Sequence, residues 1–205
     1  KKNFPKISKK KNTKFTFGSF NNMRKISNKI IDIWSSILNS TNSILMLKES
    51  SEESDQLKES ILNKFKEKGT NINQIVFLER TKNIEDHLQL YNNIDLALDT
   101  FPFPGVTTSF ESISMGVPVL TMKGFNFTSR CGESININLD MQNFIAQNSN
   151  EYISKAIYFF KNFEELKKVS GLALRHKIFN SPLFDNKNFT LNFEEKLINI
   201  YSQSA

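Results

Sequence analysis

The sequence predicts an α/β fold: a Rossmann-like doubly wound parallel sheet of about five strands, followed by a helical C-terminal tail. Short apolar runs of four to six residues alternate with longer amphipathic stretches, as expected for parallel strands covered by helices on both faces. The 205 residues suit one globular domain, and the 39% of hydrophobic residues, which include 19 Phe, can fill its core.

Five apolar runs have the length and composition of buried strands. They are Phe15–Phe20, Ser43–Leu47, Ile75–Leu78, Ile94–Leu98 and Val119–Met122. Because helical segments separate all five, right-handed crossover connections follow.

Amphipathic segments fill the intervals between these runs. The first begins at the N-cap residue Ser27 and carries apolar residues at helical spacing over 30–38. The second, Glu52–Lys68, is charged on one face and ends at Gly69. The other predicted helices are Ile84–Tyr91, Thr107–Met115, Asn150–Phe160, Phe163–Phe179 and Asn188–Tyr201.

The positive charge of the chain is concentrated at its start. Lys and Arg exceed Asp and Glu by 27 − 21 = 6, but residues 1–14 hold seven Lys and no acid, so the remainder carries 20 − 21 = −1. We interpret 1–14 as a basic leader or linker and 15–205 as the folded domain. Nucleic-acid binding needs a basic stripe on a folded face. We therefore expect no nucleic-acid partner, with binding through the leader as the alternative.

The composition also limits cofactors and compartment. Cys131 is the one cysteine, and His87 and His176 are the two histidines, so neither a disulfide framework nor a cysteine-rich zinc site can form. We expect no metal and no cofactor. No run approaches the ~20 apolar residues of a membrane span, and no secretory signal opens the sequence, so we expect a cytoplasmic protein. Because Lys1 rather than Met comes first, we expect a fragment of a longer chain.

The loop between Asp99 and Glu111 has the composition of an anion site. It follows a predicted strand, and ligands of open parallel sheets lie at the carboxyl ends of strands. Gly105 permits close approach to the backbone, and Thr107 and Thr108 open a helix whose first N–H groups favour anions. The carboxylate of Glu111 suits ribose hydroxyls.

The same residues also fit an ordinary capped helix after a rigid proline loop, with Glu111 facing the helix dipole. The residues alone leave both interpretations open. The chain contains neither a Gly-x-Gly-x-x-Gly nor a Walker lysine motif, which argues against a dinucleotide dehydrogenase or a P-loop NTPase.

An ordered set of motifs resembles the C-terminal catalytic half of the O-GlcNAc transferase family (family 41), in particular its SPINDLY and bacterial members. The resemblance covers Lys14 to Tyr201 and implies a GT-B fold, in which two Rossmann-like domains face a cleft and the C-terminal one binds a nucleotide-sugar. The motifs are Phe20-Asn21-Asn22 with Lys25, Asp99-Thr100-Phe101-Pro102, Gly105-x-Thr107-Thr108, Glu111-Ser112, Met115-Gly116-Val117-Pro118, Ser129-Arg130 and Ser181-Pro182-Leu183-Phe184.

The resemblance also implies roles for individual residues. Lys25 matches the lysine that contacts the donor diphosphate, where an ammonium offsets charge that develops on the leaving group, so it is the predicted catalytic residue. Glu111 matches the ribose-binding acid, and His87 matches a residue that packs on the nucleobase. The other predicted donor-binding residues are Asn22, Thr81, Lys82, Gly105, Thr107 and Thr108.

The activity implied by the resemblance is inverting, metal-independent transfer of a sugar from a UDP- or GDP-sugar to Ser or Thr of an acceptor protein. The acceptor site, any general base and the tetratricopeptide repeats belong to the family's N-terminal part, so we expect this chain to bind nucleotide without turnover. Val106 stands where animal members have His, and Leu90 where they have Arg. These departures leave the donor open, and they leave open an alternative: a catalytically silent relative that serves as a nucleotide-binding or scaffold module.

Overall fold

The computed structural model describes residues 4–8, 14–49 and 54–204, and the strands of this part form one parallel sheet. The strand order is β3-β2-β1-β4-β5-β6, and every neighbouring pair is parallel. The chain builds outward from β1 to β3 and then returns to place β4 on the other side of β1, so the order reverses between β1 and β4. The strands are β1 (Thr16–Ser19), β2 (Ile44–Lys48), β3 (Ile75–Leu78), β4 (Leu96–Leu98), β5 (Val119–Met122) and β6 (Ile145–Ala146).

Helices connect the strands and form the C-terminal part of the described chain. None of the helices in the described part is long and apolar enough to cross a membrane. The helices are α1 (Asn28–Asn39), α2 (Ser54–Glu67), α3 (Ile84–Gln89), α4 (Thr107–Ser114), α5 (Cys131–Ile137), α6 (Ser149–Lys161), α7 (Phe163–Lys168), α8 (Leu172–Phe179) and α9 (Asn186–Ser204).

The core lies on both faces of the central strands. All four residues of β1 are buried, as expected for a strand covered by helices on each side. The Ser27 hydroxyl accepts a hydrogen bond from the Ile30 amide and caps α1, whose buried face includes Ile30, Trp34 and Ile37. Full burial of such a side chain stabilises the fold by about 1.5–3 kcal/mol. The apolar face predicted from the sequence is therefore what holds α1 against the core.

The predicted fold class and all five predicted strands are confirmed. The sequence did not reveal β6, because two residues are too few to show a period. The predicted start of the second helix at Glu52 lies outside the described residues, and its end at Gly69 agrees with the left-handed φ of +73° at that glycine.

The single helix predicted over Phe163–Phe179 is wrong. Gly171 has a φ of +66° and separates α7 from α8. Its amide donates to the carbonyl of Gly116 at 2.7 Å, and a Cβ on Gly116 would lie 2.5 Å from the Gly171 carbonyl oxygen. The sequence shows no change of pattern at Gly171, but the close approach of its backbone to that of Gly116 breaks the helix there.

Residues 4–8 contact the domain, while the rest of the predicted leader before Lys14 lies outside the described residues. The Ser8 amide donates to the Asn92 side chain at 3.0 Å. The Arg175 guanidinium in α8 reaches both this segment and the end of α4, since it donates to the carbonyl of Pro5 at 2.8 Å and to that of Ser114 at 2.6 Å. One side chain therefore joins the N-terminal segment, α4 and α8.

Candidate functional site

The candidate site lies where the carboxyl ends of β1 and β4 meet. These strands are parallel neighbours, so the segments that follow them, 20–26 and 99–106, leave the sheet side by side. The strand order reverses between them, and open α/β sheets bind their ligands at such a switch point.

A buried carboxylate, Asp99, organises these segments. It is 2% exposed, and one of its oxygens accepts from the amides of Thr100 at 2.9 Å and Gly105 at 2.7 Å and from Asn21 Nδ2 at 3.0 Å. The other oxygen accepts from the Thr121 hydroxyl at 2.9 Å. Burial raises the pKa of Asp99 to about 6, although all four hydrogen bonds favour the charged form.

Gly105 is required by close packing within the loop. A Cβ at this position would lie 2.4 Å from Thr108 Oγ1, 2.8 Å from Ser109 Oγ and 3.0 Å from Asn21 Oδ1. A side chain here would displace the hydroxyl of Thr108 and the amide of Asn21. The predicted role of Gly105, close approach to a ligand, stays a prediction, and close approach within the protein is what the structure contains.

The ammonium of Lys25 lies at this loop. Lys25 ends a short 3₁₀ helix, Met23–Lys25, and its Nζ donates to the carbonyl of Pro104 at 3.1 Å. An ammonium has three donors, and the described residues engage one of them, which leaves two for a ligand. The side chain is half-buried, and 79 residues of sequence separate it from Pro104.

Helix α4 begins at Thr107, three residues after the Pro104 carbonyl that this ammonium contacts. Its N-cap residue, Val106, gives no side-chain cap, so the first N–H groups of the helix are available to an anion. Thr107 is exposed and Thr108 half-buried. The Thr108 hydroxyl donates to Asn21 Oδ1 at 2.9 Å.

Glu111, one turn further along α4, pairs with His87 of α3. His87 Nε2 and Glu111 Oε2 are 3.0 Å apart, and the Tyr91 hydroxyl lies 3.5 Å from the same oxygen. Burial and then the Glu111 charge raise the pKa of Tyr91 well above its usual range. Among the described residues, His87 Nδ1 finds no hydrogen-bond partner although it is buried. The predicted ribose acid and the predicted base-packing residue therefore lie together.

Of the remaining predicted residues, Asn22 belongs to the segment that carries Lys25, and its carbonyl accepts from the Lys25 amide at 2.9 Å, whereas Thr81 and Lys82 lie elsewhere. Asn22 is exposed, and its side-chain oxygen accepts from the Arg24 amide at 2.9 Å. Thr81 and Lys82 belong to the loop between β3 and α3. Within the described part of the chain, no hydrogen bond or ion pair in the structure joins either of them to Lys25 or α4. Their binding roles stay predictions.

Two residues that received no role from the sequence belong to the site. Asn21 and Asp99 stand in the motifs quoted above, but only the fold shows that their side chains meet at 3.0 Å. A second cation near the site, Lys48, ends β2. Its pKa is lowered by burial, while the nearby Glu111 opposes that shift, so Lys48 lies in the field of the Glu111 carboxylate. A buried strand that ends in a lysine was the available signal.

These features define the class of protein: a Rossmann-like domain of the GT-B glycosyltransferase kind. An O-GlcNAc transferase mutant from Thermobaculum terrenum has the same fold, with a TM-score of 0.88 and 25% identity over 98% of this chain and 39% of that chain. Anabaena HepE, solved with UDP and glucose, shares the fold at a TM-score of 0.60 and 14% identity, covering 89% of this chain and 48% of that chain.

The particular family follows from the sequence. The model of glycosyl transferase family 41 matches residues 9–193, so this chain belongs to that family, and the resemblance stated from the motifs is confirmed. The chain is 34% identical over 180 residues to the tomato (Solanum lycopersicum) protein named probable UDP-N-acetylglucosamine–peptide N-acetylglucosaminyltransferase SPINDLY, which covers 87% of this chain and 19% of that protein. The rice protein (Oryza sativa subsp. japonica) of the same name is 34% identical over 187 residues, 91% of this chain and 20% of its own length. The chain thus spans about a fifth of the length of these relatives.

Proposed function

We propose that this chain is the nucleotide-sugar-binding half of an inverting protein O-glycosyltransferase. The observation that carries the proposal is the position of the Lys25 ammonium, 3.1 Å from the carbonyl of Pro104, which lies three residues before the first residue of α4, a helix without a side-chain cap from its N-cap residue. A cation and a set of aligned N–H groups at the same loop can form a receptor for a diphosphate.

The proposed chemical role of this site is to stabilise the leaving group. In the proposed reaction the bond between the anomeric carbon and the donor diphosphate breaks while a bond to the acceptor hydroxyl oxygen forms on the opposite face. The acceptor proton passes to a base outside this chain. Negative charge then develops on the diphosphate, where Lys25 and the α4 amides can stabilise it. The expectation that no metal takes part stays a prediction.

The nucleoside is proposed to lie towards Glu111 and His87. A carboxylate 3.0 Å from an imidazole nitrogen has acceptor capacity left for ribose hydroxyls, and the imidazole ring offers a face for a base. Val106 is exposed at the position before the threonine pair, where animal members have His, so the donor stays open between a UDP-sugar and a GDP-sugar.

Removal of the ammonium tests the proposal. Titration calorimetry with UDP and GDP should show binding of at least one by the unmodified chain and binding about 10- to 100-fold weaker after Lys25→Ala, because a hydrogen bond to a charged group contributes about 1.5–3 kcal/mol. Lys66→Ala, which removes an exposed lysine of α2, is the matched control and should bind normally. If the unmodified chain bound neither nucleotide, the proposal would be wrong.

A catalytically silent relative is the second candidate, favoured by Val106 and Leu90 at positions where animal members carry His and Arg. Sugar transfer by the full-length protein discriminates the two. An enzyme loses transfer with Lys25→Ala, whereas a scaffold keeps its function.

The proposed partners are a nucleotide-sugar and an acceptor protein that contacts the remainder of the full-length protein. The proposed compartment is the cytoplasm, whose reducing conditions suit the free thiol of Cys131.

A further inference from the structure

We infer that Asp99, acting through Asn21, makes the two threonines of the site unequal: the Thr108 hydroxyl serves the loop, and the Thr107 hydroxyl is the side-chain donor that meets the diphosphate. Asp99 and Asn21 are then positioning residues. The inference rests on the proposed function for the role of Thr107, while the role of Thr108 stands on the geometry of the loop alone.

The first step is the orientation of the Asn21 amide. An ionised carboxylate only accepts hydrogen bonds, so the group that Asn21 presents to Asp99 at 3.0 Å must be its NH₂. The amide oxygen then points to the other side. Asn21 is buried, which leaves the side chain little room to turn. The usual ambiguity between the two ends of an amide is thereby resolved by its charged neighbour.

The second step is the commitment of Thr108. The outward Asn21 oxygen lies 2.9 Å from Thr108 Oγ1, and an amide oxygen can only accept. The single hydroxyl hydrogen of Thr108 is therefore donated to Asn21. A phosphate oxygen near this hydroxyl would face its lone pairs and could not accept a hydrogen bond from it. Gly105 closes the back of the same hydroxyl, since a Cβ there would lie 2.4 Å from it.

The third step is the contrast with Thr107. Its side chain is exposed at the first position of α4, and no hydrogen bond in the described part of the chain engages its hydroxyl. An anion at the N-terminus of α4 would meet this hydroxyl together with the backbone N–H groups of both threonines. The relay Asp99–Asn21–Thr108 fixes the loop that places those N–H groups.

Paired valine and serine substitutions test the inference by separating affinity from stability. Thr107→Val should weaken binding of whichever of UDP or GDP the chain binds by about tenfold and leave the melting temperature unchanged, and Thr107→Ser should restore affinity. Thr108→Val should lower the melting temperature by about 2–4 °C through loss of one hydrogen bond and change affinity less than threefold (about 0.6 kcal/mol). Thr108→Ser should restore the melting temperature.

A double-mutant cycle tests the relay itself. In an Asn21→Ala background, Thr108→Val should cost no further stability, because its hydrogen-bond partner is already absent. An equal affinity loss for both valine variants with unchanged melting temperatures would overturn the inference, and so would full additivity in the cycle. Binding of neither nucleotide by the unmodified chain would overturn the proposed function and the role of Thr107 together, while the cycle, which needs no ligand, would still decide the role of Thr108.

Discussion

Replacement of Asp99 by Asn should make the protein more stable at neutral pH. The variant keeps the shape of the side chain and an acceptor for the Gly105 and Thr100 amides, and its amide can face Thr121, whose hydroxyl can accept as well as donate. It removes a charge that is buried with 2% exposure. Since burial raises the pKa of Asp99, ionisation of this group at neutral pH opposes folding.

The size of the effect follows from the pKa. Burial raises it from 3.8 to about 6, and each pKa unit corresponds to about 1.4 kcal/mol, so the full penalty is about 3 kcal/mol. Below pH 3.8 both states hold the proton and the penalty is absent. As the pH rises towards 6, the folded protein keeps a proton that the unfolded chain has lost, so stability falls; above it the penalty is constant.

Urea unfolding monitored by the fluorescence of Trp34 provides the assay, because this is the single tryptophan of the chain and is fully buried. The free energy of unfolding of Asp99→Asn minus that of the unmodified protein should grow by about 2 kcal/mol between about pH 4.5 and about pH 7.5. Glu133 and Glu151, whose pKa values are lowered by hydrogen bonds from Arg130 and Lys155 respectively, titrate in both proteins and cancel. A difference that stays constant with pH would refute the reasoning.

Three glycines allow matched tests of the loop and of the helix break. Gly105→Ala should lower both the free energy of unfolding, by about 1–3 kcal/mol, and nucleotide affinity, because its Cβ would lie 2.4 Å from Thr108 Oγ1. Gly69→Ala is the control, with a φ of +73° but no atom within 4 Å of the new Cβ; it should cost about 1 kcal/mol with unchanged affinity. Gly116→Ala has a similar φ of +76° and a clash at 2.5 Å with the Gly171 carbonyl, so its urea midpoint should fall below that of Gly69→Ala. Equal midpoints for these two would contradict the close approach.

Periodicity was sufficient for the sheet and for most of the helices. β4 and β5 show as apolar runs between helical segments, because all of their residues are buried. β2 and β3 are also apolar in sequence, although several of their residues are half-buried. Three features were missed: β6 is too short to show a period, α5 was not among the predicted helices, and the break at Gly171 is set by the backbone of Gly116, 55 residues earlier in the sequence. Contacts over such distances leave no local pattern.

The site was predictable in part, for a similar reason. The motif resemblance, rather than composition, pointed to Lys25 together with the loop before Thr107, and the structure brings them together. The role of Asp99 could not be read from the sequence, where an Asp after a strand is equally typical of a turn. The role of Asp99 depends on the hydrogen bonds it accepts from Asn21, which follows β1, and from Thr121, which lies in β5. The pairing of His87 with Glu111 likewise depends on the packing of α3 against α4.

The guanidinium of Arg175 bears on how this domain can be shortened for experiments. It holds the carbonyl of Ser114 at the rear of α4 and that of Pro5 in the N-terminal segment. A version trimmed to the sheet and its crossover helices would retain every proposed ligand-contacting side chain. It would lose the Arg175 hydrogen bonds that anchor the C-terminal end of α4. Truncation boundaries for crystallisation or spectroscopy should therefore keep residues 4–8 and α8, although both lie far along the chain from the loop they support.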